Sequence, residues 1–225
     1  MASKLFEGAT LGQLRAFLVA ADPGDTILIP NDVVDGSDLP GQTWTTVPIK
    51  DNVTIIGTKT SGKVRIGGNG SNQANFALDR PMFGSNDGDP LSINSGSPIN
   101  GITIENIHLN VDITSFYVTH PSSGSPLVWA KIGGFIQLAN DVHIKDCEVS
   151  GRIEYDINDY ADTIDSAGGF VGEVGSNEKG NSTFTNCVNR CNIKAGGEME
   201  VGGIVGYCFN KIQLYSVSPR FSTID

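Results

Sequence analysis

An eight-residue motif of alternating apolar and polar residues occurs three times between residues 102 and 189, and it decides the fold class. Its copies are ITIENIHL at residues 102–109, VHIKDCEV at 142–149 and STFTNCVN at 182–189, each starting forty residues after the one before. Sequence repeats with a period of 20–50 residues are typical of proteins in which one structural unit stacks on the next. Alternation with a period of two predicts a β-strand with one buried face. The sequence therefore predicts stacked strands in which equivalent residues of successive repeats form columns.

Equivalent positions of the three repeats carry similar side chains, which are expected to lie above one another in columns. The apolar columns are Ile104, Ile144 and Phe184; Ile107, Cys147 and Cys187; and Ile113, Ile153 and Ile193. Another position holds Asn106, Asp146 and Asn186, the residue types that tolerate a left-handed backbone conformation at a tight bend. We therefore expect Asp146 to be a turn residue and not a catalytic acid.

A second motif, Gly-Gly followed by two apolar residues, is interleaved with the first at residues 133–136, 168–171 and 202–205. Each forty-residue unit then holds two strand-and-turn motifs, so we expect two coils of about twenty residues per repeat. Strands in successive coils would lie about 4.8 Å apart. The Gly-Gly pairs are expected at the corners of the coils.

The cysteines lie in the same repeats. With two coils per repeat, Cys147 and Cys187 would be about 9–10 Å apart, too far for a disulfide. We expect them to be stacked core thiols that act as small apolar side chains. A disulfide that involves Cys191 or Cys208 is the alternative.

One segment near the start of the chain has a helical pattern. Thr10 and Gln13 form a capping-box pair, and apolar residues follow on one face at helical spacing. These residues are Leu11, Leu14, Phe17, Leu18 and Ala21. Because an open end of a strand stack exposes unpaired backbone, we expect this helix, over residues 10–21, to cover the first coil.

Composition excludes several classes of protein. The chain has 225 residues, with 15 Lys and Arg against 25 Asp and Glu, so its formal net charge is −10. This acidity argues against nucleic-acid binding, which needs a basic surface. No apolar run approaches the roughly 18 residues of a membrane span, so no membrane insertion is expected. The first eight residues lack the apolar region of a secretory signal.

Two segments resemble known families. LRAFLVAADPGDTILIP at residues 14–30 resembles the N-terminal cap and first strand of the pectate-lyase-like right-handed β-helix superfamily. The Gly-Gly units over about residues 130–215, with a strand and Asn-Cys after them, resemble the GLUG repeats of bacterial surface proteins. The right-handed winding is implied by the first resemblance. This superfamily includes polysaccharide lyases and hydrolases, adhesins and phage appendages, so the fold does not decide the function.

The repeats and the resemblance together predict one all-β domain, a single-stranded right-handed parallel β-helix (a solenoid) with an N-terminal α-helical cap. Residues 1–30 would form the cap helix and first strand. Residues 31–100 would form irregular early coils with long loops, and residues 101–215 regular coils. Residues 216–225 would be a tail with no recognisable cap, so self-association or a longer assembly is expected to cover the last coil.

Catalytic candidates are few. A lyase-type site, as the resemblance implies, needs a basic residue beside carboxylates that bind Ca²⁺. The weak catalytic candidates are Lys145, Arg152 and Asp156. The weak candidates for Ca²⁺ ligands are Asp156, Asp159, Asp162 and Asp165. The favoured interpretation of that stretch is a solvated acidic loop. We therefore expect no catalytic residue, metal or cofactor, with Ca²⁺ as the one open possibility. The three histidines share no column, which argues against His-based catalysis.

Binding candidates lie in the irregular segments 67–100 and 114–130, because long loops on a rigid scaffold commonly carry binding sites. Four aromatic residues there could stack on sugars or pack against a partner, or could hold their own loops: Phe83, Phe116, Tyr117 and Trp129. We expect a non-enzymatic structural or adhesive module at an extracellular or virion surface that binds a glycan or a surface protein. The alternative is a polysaccharide lyase or glycoside hydrolase that acts on an acidic polysaccharide.

Overall fold

The computed structural model describes residues 2–70, 72–84, 98–114, 131–155, 165–175, 181–195, 199–209 and 211–218. Within these ranges the chain forms one α-helix, α1 (Leu11–Val19), and two short 3-10 helices, Pro40–Gln42 and Gln73–Asn75. The strands are β1 (Ser3–Leu5), β2 (Thr26–Ile29), β3 (Thr54–Gly57), β4 (Val64–Ile66), β5 (Ile99–Glu105), β6 (Ile107–Thr114), β7 (Lys131–Gly133), β8 (Ile136–Lys145), β9 (Glu148–Tyr155), β10 (Asp165–Gly168), β11 (Val171–Val174), β12 (Asn181–Thr185), β13 (Val188–Ala195), β14 (Met199–Gly202), β15 (Val205–Cys208) and β16 (Lys211–Tyr215).

The described strands form three sheets, and every pair of neighbouring strands is parallel. The largest sheet runs β1-β2-β3-β5-β8; the long strand β8 then pairs with β11 along its first half and with β12 along its second half. Strands β15 and β16 extend these two halves. A four-stranded sheet runs β4-β6-β9-β13, and a three-stranded sheet runs β7-β10-β14. The fold is therefore mostly β, with parallel sheets.

Residues forty positions apart are direct neighbours in these sheets. Ile104 pairs with Ile144, and Ile144 pairs with Phe184. The same spacing holds in the four-stranded sheet, where Ile113, Ile153 and Ile193 are successive neighbours. Each forty-residue repeat therefore fills a single layer, meaning one strand position in each sheet, and the expectation of two twenty-residue coils per repeat is wrong. The Gly-Gly motif belongs to the same layer, because it links the three-stranded sheet to the nine-stranded sheet.

The predicted left-handed turn between the two longer strands of each repeat is confirmed. Asn106, Asp146 and Asn186 have φ angles of 55°, 54° and 52°. Each of their backbone N–H groups donates to a carbonyl of the next layer, at 2.8–3.0 Å. The Asn186 amide also donates to Asp146 Oδ1 at 2.9 Å. Asp146 is a turn residue, as its column predicts.

The Gly-Gly pairs lie at corners, as predicted. Gly133, Gly168 and Gly202 are neighbours at the ends of β7, β10 and β14, and the chain then enters the nine-stranded sheet. A Cβ atom on Gly168 would lie 2.1 Å from the carbonyl oxygen of Val171. Only glycine allows the backbone to turn so closely at this corner.

All four cysteines are free thiols. The distance argument against a Cys147–Cys187 disulfide is wrong, because these residues lie in adjacent layers and not two layers apart. Each of these two thiols instead lies within hydrogen-bonding distance of a backbone carbonyl of the preceding layer, Cys147 of Ile104 at 3.6 Å and Cys187 of Ile144 at 3.4 Å. Burial raises the pKa of Cys187 to about 11 and that of Cys191 to about 12. Such thiols are inert core residues at neutral pH.

The helix α1 begins where the capping pattern predicts. Thr10 Oγ1 accepts a hydrogen bond from the Gln13 backbone N–H at 3.4 Å, and Gln13 Oε1 accepts one from the Ala9 N–H at 2.9 Å. Asp38 adds an acceptor for the Gly12 N–H at 2.9 Å. The apolar face of α1 is buried in the core, through Leu11, Leu14 and Leu18. The edge of the large sheet at this end is β1, a three-residue strand that the sequence did not predict.

Candidate functional site

The two basic catalytic candidates lie on different sheets. Lys145 is the last residue of β8, and its Nζ lies 3.9 Å from Asp146 Oδ2. Arg152 lies in β9, where its guanidinium bonds to Asp112 of the neighbouring strand. The turn at Asp146 separates the two strands, so the structure does not bring these cations together at one site.

The aromatic candidate that the structure describes is a core residue. Phe83 is fully buried, and its backbone bridges Val47 on one side and Ile136 on the other. Its ring is therefore unavailable for stacking on a sugar, and the alternative that it holds its own segment against the sheets applies. The other three aromatic candidates, Phe116, Tyr117 and Trp129, lie outside the described residues.

The acidic candidates are largely outside the described ranges as well. Asp156, Asp159 and Asp162 fall in the undescribed segment 156–164. Asp165 is the first residue of β10, and only its backbone is described. Among the residues with described side chains, no cluster of three His, Cys, Asp or Glu could hold a metal ion. The Ca²⁺ expectation for this stretch stays a prediction.

A groove of about 700 Å³ lies over the outer face of the four-stranded sheet. One wall is the segment 68–70, which precedes the second 3-10 helix. The floor consists of polar side chains that alternate with buried apolar ones along the strands: Asn110 and Asp112 from β6, Ser150 and Arg152 from β9, and Asn192 from β13. The volume falls within the roughly 300–1,000 Å³ of small-molecule binding sites. This groove is the candidate functional site.

The centre of the floor is bare backbone at Gly151. This residue has a φ of +106°, and a Cβ on it would lie 1.9 Å from the carbonyl oxygen of Val111 in the next strand. Any other residue type would force the two strands apart. The glycine therefore keeps the floor flat between the two rows of polar side chains, so a ligand could approach the main chain.

A chain of hydrogen bonds orients the first row of floor side chains, Asn110 and Ser150. The Asn110 amide donates to the carbonyl oxygen of Gly67 at 3.0 Å, which turns its Oδ1 toward the Ser150 hydroxyl. Ser150 donates its one hydroxyl proton to that oxygen. His108 Nε2, 2.7 Å from Ser150 Oγ, must then donate to the hydroxyl. Burial lowers the pKa of His108 despite the nearby carboxylate of Glu148, so a neutral ring with its proton on Nε2 fits this chain.

This proton arrangement bears on catalysis. A nucleophilic serine must donate its proton to a histidine that accepts it. Here His108 is the donor and Ser150 passes its own proton to Asn110, so the direction is the reverse of a nucleophile–base pair. The three side chains therefore do not form a nucleophile–base pair in this arrangement.

The second row is a ladder of opposite charges. Arg152 bonds to Asp112, with Nη2 and Oδ2 3.3 Å apart, and its Nη1 lies 3.7 Å from Glu154 Oε2. Near the start of the neighbouring strand β13, Arg190 Nε donates to Glu148 Oε1 of β9 at 2.7 Å. Hydrogen bonding to Asp112 raises the pKa of Arg152. Acceptors and donors thus alternate across the layers, and the positive and negative charges of the floor compensate each other.

The sequence carries signals for this site in the columns of its repeats. Asp112 and Arg152 are forty residues apart, so the repeat places opposite charges in one column. His108 and Glu148 share a column in the same way. Once adjacent repeats are known to be adjacent layers, such pairs identify the four-stranded sheet as a patterned polar surface. The wall at 68–70 belongs to no repeat, so the groove itself could not be found from the pattern.

Comparison of the chain with protein-family models, curated proteins and solved structures finds no match. Among the described residues, no helix is both long enough and apolar enough to span a membrane. The groove and its polar floor are therefore the features that bear most directly on function.

Proposed function

We propose that the chain is a single-stranded right-handed parallel β-helix that serves as a non-enzymatic structural or adhesive module at a cell or virion surface, and that it binds a glycan in the groove. The parallel pairing in three sheets, with one layer for each forty-residue repeat, supports the β-helix. The right-handed winding rests on the resemblance of residues 14–30. A stack of similar layers forms an extended surface on which a ligand can bind.

The alternation of donors and acceptors on the groove floor carries the glycan proposal. Each sugar hydroxyl both donates and accepts a hydrogen bond, so a row of hydroxyls needs both kinds of partner along its length. The Asp112 carboxylate accepts, while Arg152 donates and the Asn192 amide does both. The bare backbone at Gly151 leaves room for a flat ring between these groups.

The charge of the groove favours a neutral glycan over an acidic one. The charged residues that line it are Asp112 and Arg152, and they are already bonded to each other. A uronate would have to displace the Asp112 carboxylate from Arg152 and would then lie beside an unpaired negative charge. A neutral polyol can bond to both groups without separating them. Phe116, Tyr117 and Trp129 lie outside the described residues, and their stacking on a sugar stays a prediction.

Calorimetric titration with neutral and uronic-acid oligosaccharides tests this proposal. Asn192→Ala removes an exposed groove amide at little cost to folding. We expect it to weaken binding of the neutral ligand about tenfold, or roughly 1.4 kcal/mol, as for the loss of one or two hydrogen bonds. The matched control is Asn181→Ala, which truncates an exposed asparagine of the same repeat on the nine-stranded sheet and should leave the affinity unchanged.

Two results would count against the proposal. Folded protein that binds neither class of oligosaccharide would remove the glycan ligand. Preferential binding of uronates, with new chain ends released when Ca²⁺ is added, would instead favour the polysaccharide lyase or hydrolase.

A further inference from the structure

Among the described residues, one apolar column of the large sheet ends in a half-exposed side chain. Successive neighbours in this column are Ile27, Ile55, Ile104, Ile144, Phe184 and Leu214. The first five are at most 1% exposed, whereas Leu214 is 48% exposed. Leu214 has the position of a core residue in the last layer, so the hydrophobic core itself is open to solvent at this end.

The backbone is open at the same end. Within the described ranges, β14, β15 and β16 each pair with a strand on one side only. Exposed aromatic side chains lie beside them, with Phe209 at 61% and Tyr215 at 51% exposure. Unpaired N–H and C=O groups next to exposed apolar side chains form a template for pairing with another strand. We call this surface, formed by β14, β15, β16 and Phe209, the open end.

At the other end the core is covered, although β1 also pairs with a described strand on one side only. The helix α1 buries Leu11, Leu14 and Leu18 in the core there, and the edge strand β1 is only three residues long and carries Lys4. Short edge strands with a lysine are a common protection against edge-to-edge pairing. The two ends of the described stack therefore differ, with the core covered at one and exposed at the other.

We propose that the open end binds a second copy of this chain across a twofold axis, with β16 of one protomer antiparallel to β16 of the other and Gln213 opposite itself. This pairing places Ile212 opposite Leu214, both of which continue core columns, so the two cores become continuous. It places Lys211 opposite Tyr215, so no like charges face each other along the strand. A twofold contact uses the same patch on both copies and stops at two, which leaves no further open edge at this end.

Sedimentation velocity over a range of concentrations tests the dimer. We expect two protomers for the unaltered chain and one for Leu214→Asp, because the dimer would bury an unpaired carboxylate. The control is Leu5→Asp at the covered end, where the leucine is 51% exposed and the substitution adds the same charge. That variant should remain dimeric. Both leucines are exposed in one protomer, so both variants should fold, which circular dichroism checks.

Disulfide trapping tests the register. With Cys208 replaced by serine, Gln213→Cys should form a covalent dimer under mild oxidation, because the two residues at position 213 face each other. Thr183→Cys, one layer further into the same column, should stay monomeric on a non-reducing gel. A chain that sediments as one protomer at all concentrations, a mass that grows beyond two, or a dimer unaffected by Leu214→Asp would each overturn the proposal. None of these results depends on glycan binding.

Discussion

At the scale of single residues, Asp25 anchors the start of the chain to the first layer. Its carboxylate is nearly buried and lies 2.6 Å from Lys4 Nζ, and it accepts hydrogen bonds from the backbone N–H groups of Asp22 and Ala2. The hydrogen bond from Lys4, followed by those from the backbone, lowers the pKa of Asp25 to about 2. The ionised form is therefore stabilised in the folded chain more than in the unfolded chain.

We predict that Asp25→Asn destabilises the protein at pH 7 and has less effect in acid. The pKa of an aspartate in an unfolded chain is about 3.9, so the stabilisation by the carboxylate is complete above about pH 4. It is lost as the pH falls toward 2, through the folded-state pKa. Urea unfolding of both proteins at pH 7, 4, 3 and 2 should show the two stabilities converging.

The control for this prediction is Asp22→Asn. Asp22 also contacts Lys4, at 3.1 Å, but its side chain is 78% exposed, and exposed ion pairs contribute little. Its replacement should change the unfolding free energy only slightly at any pH. A difference between the Asp25 variant and the unaltered chain that stays constant from pH 7 to pH 2 would contradict the assignment.

At the scale of elements, the sequence indicated which residues share a column but not how many layers separate them. Side-chain identity repeats with the column, so Asn106, Asp146 and Asn186 could be recognised as one left-handed turn. The number of residues in a layer depends on how many sheets the chain crosses before it returns. That number is set by corners such as Gly133, whose motif looks the same whether it starts a new layer or turns within one.

Elements outside the repeats were harder to predict for a related reason. Strand β1 has three residues, too few for a pattern with a period of two to be recognised. The irregular segment around Phe83 suggests a ligand-binding loop, yet Phe83 fills the core between two bridges. An isolated aromatic residue carries no periodicity, so the sequence could not tell burial from exposure.

Substitutions on the two faces of β8 test the layer arrangement. Ile144 is buried between Ile104 and Phe184 of the adjacent layers, so Ile144→Ala should lower the unfolding free energy by about 2–5 kcal/mol. Lys145→Ala, on the outer face of the same strand, should change it by less than about 0.5 kcal/mol. Equal effects at the two positions, measured by urea unfolding, would mean that the inward and outward faces of β8 are wrongly assigned.

At the scale of the whole molecule, the layers define one hydrophobic core that is closed at one end and open at the other. The buried apolar residues form one continuous cluster from Phe6 near the start of the chain to Ile204 in the last layers. In a stack each layer contacts only its neighbours, so stability accumulates layer by layer and the ends control solubility. The groove on the four-stranded sheet and the open end are then separate surfaces of one rigid support.

If each forty-residue repeat is a single layer, two labels placed along one column of the stack must lie close together. Thr54, Thr103, His143, Thr183 and Gln213 form one outward column of successive neighbours. We propose to place spin labels at Thr54→Cys and Gln213→Cys, with Cys208 replaced by serine and the labelled chain diluted with unlabelled protein. Pulsed electron–electron double resonance should then give about 19 Å between the two labels, which is four strand spacings. A distance near 38 Å, the result expected for two coils per repeat, would show that each repeat fills two layers and not one.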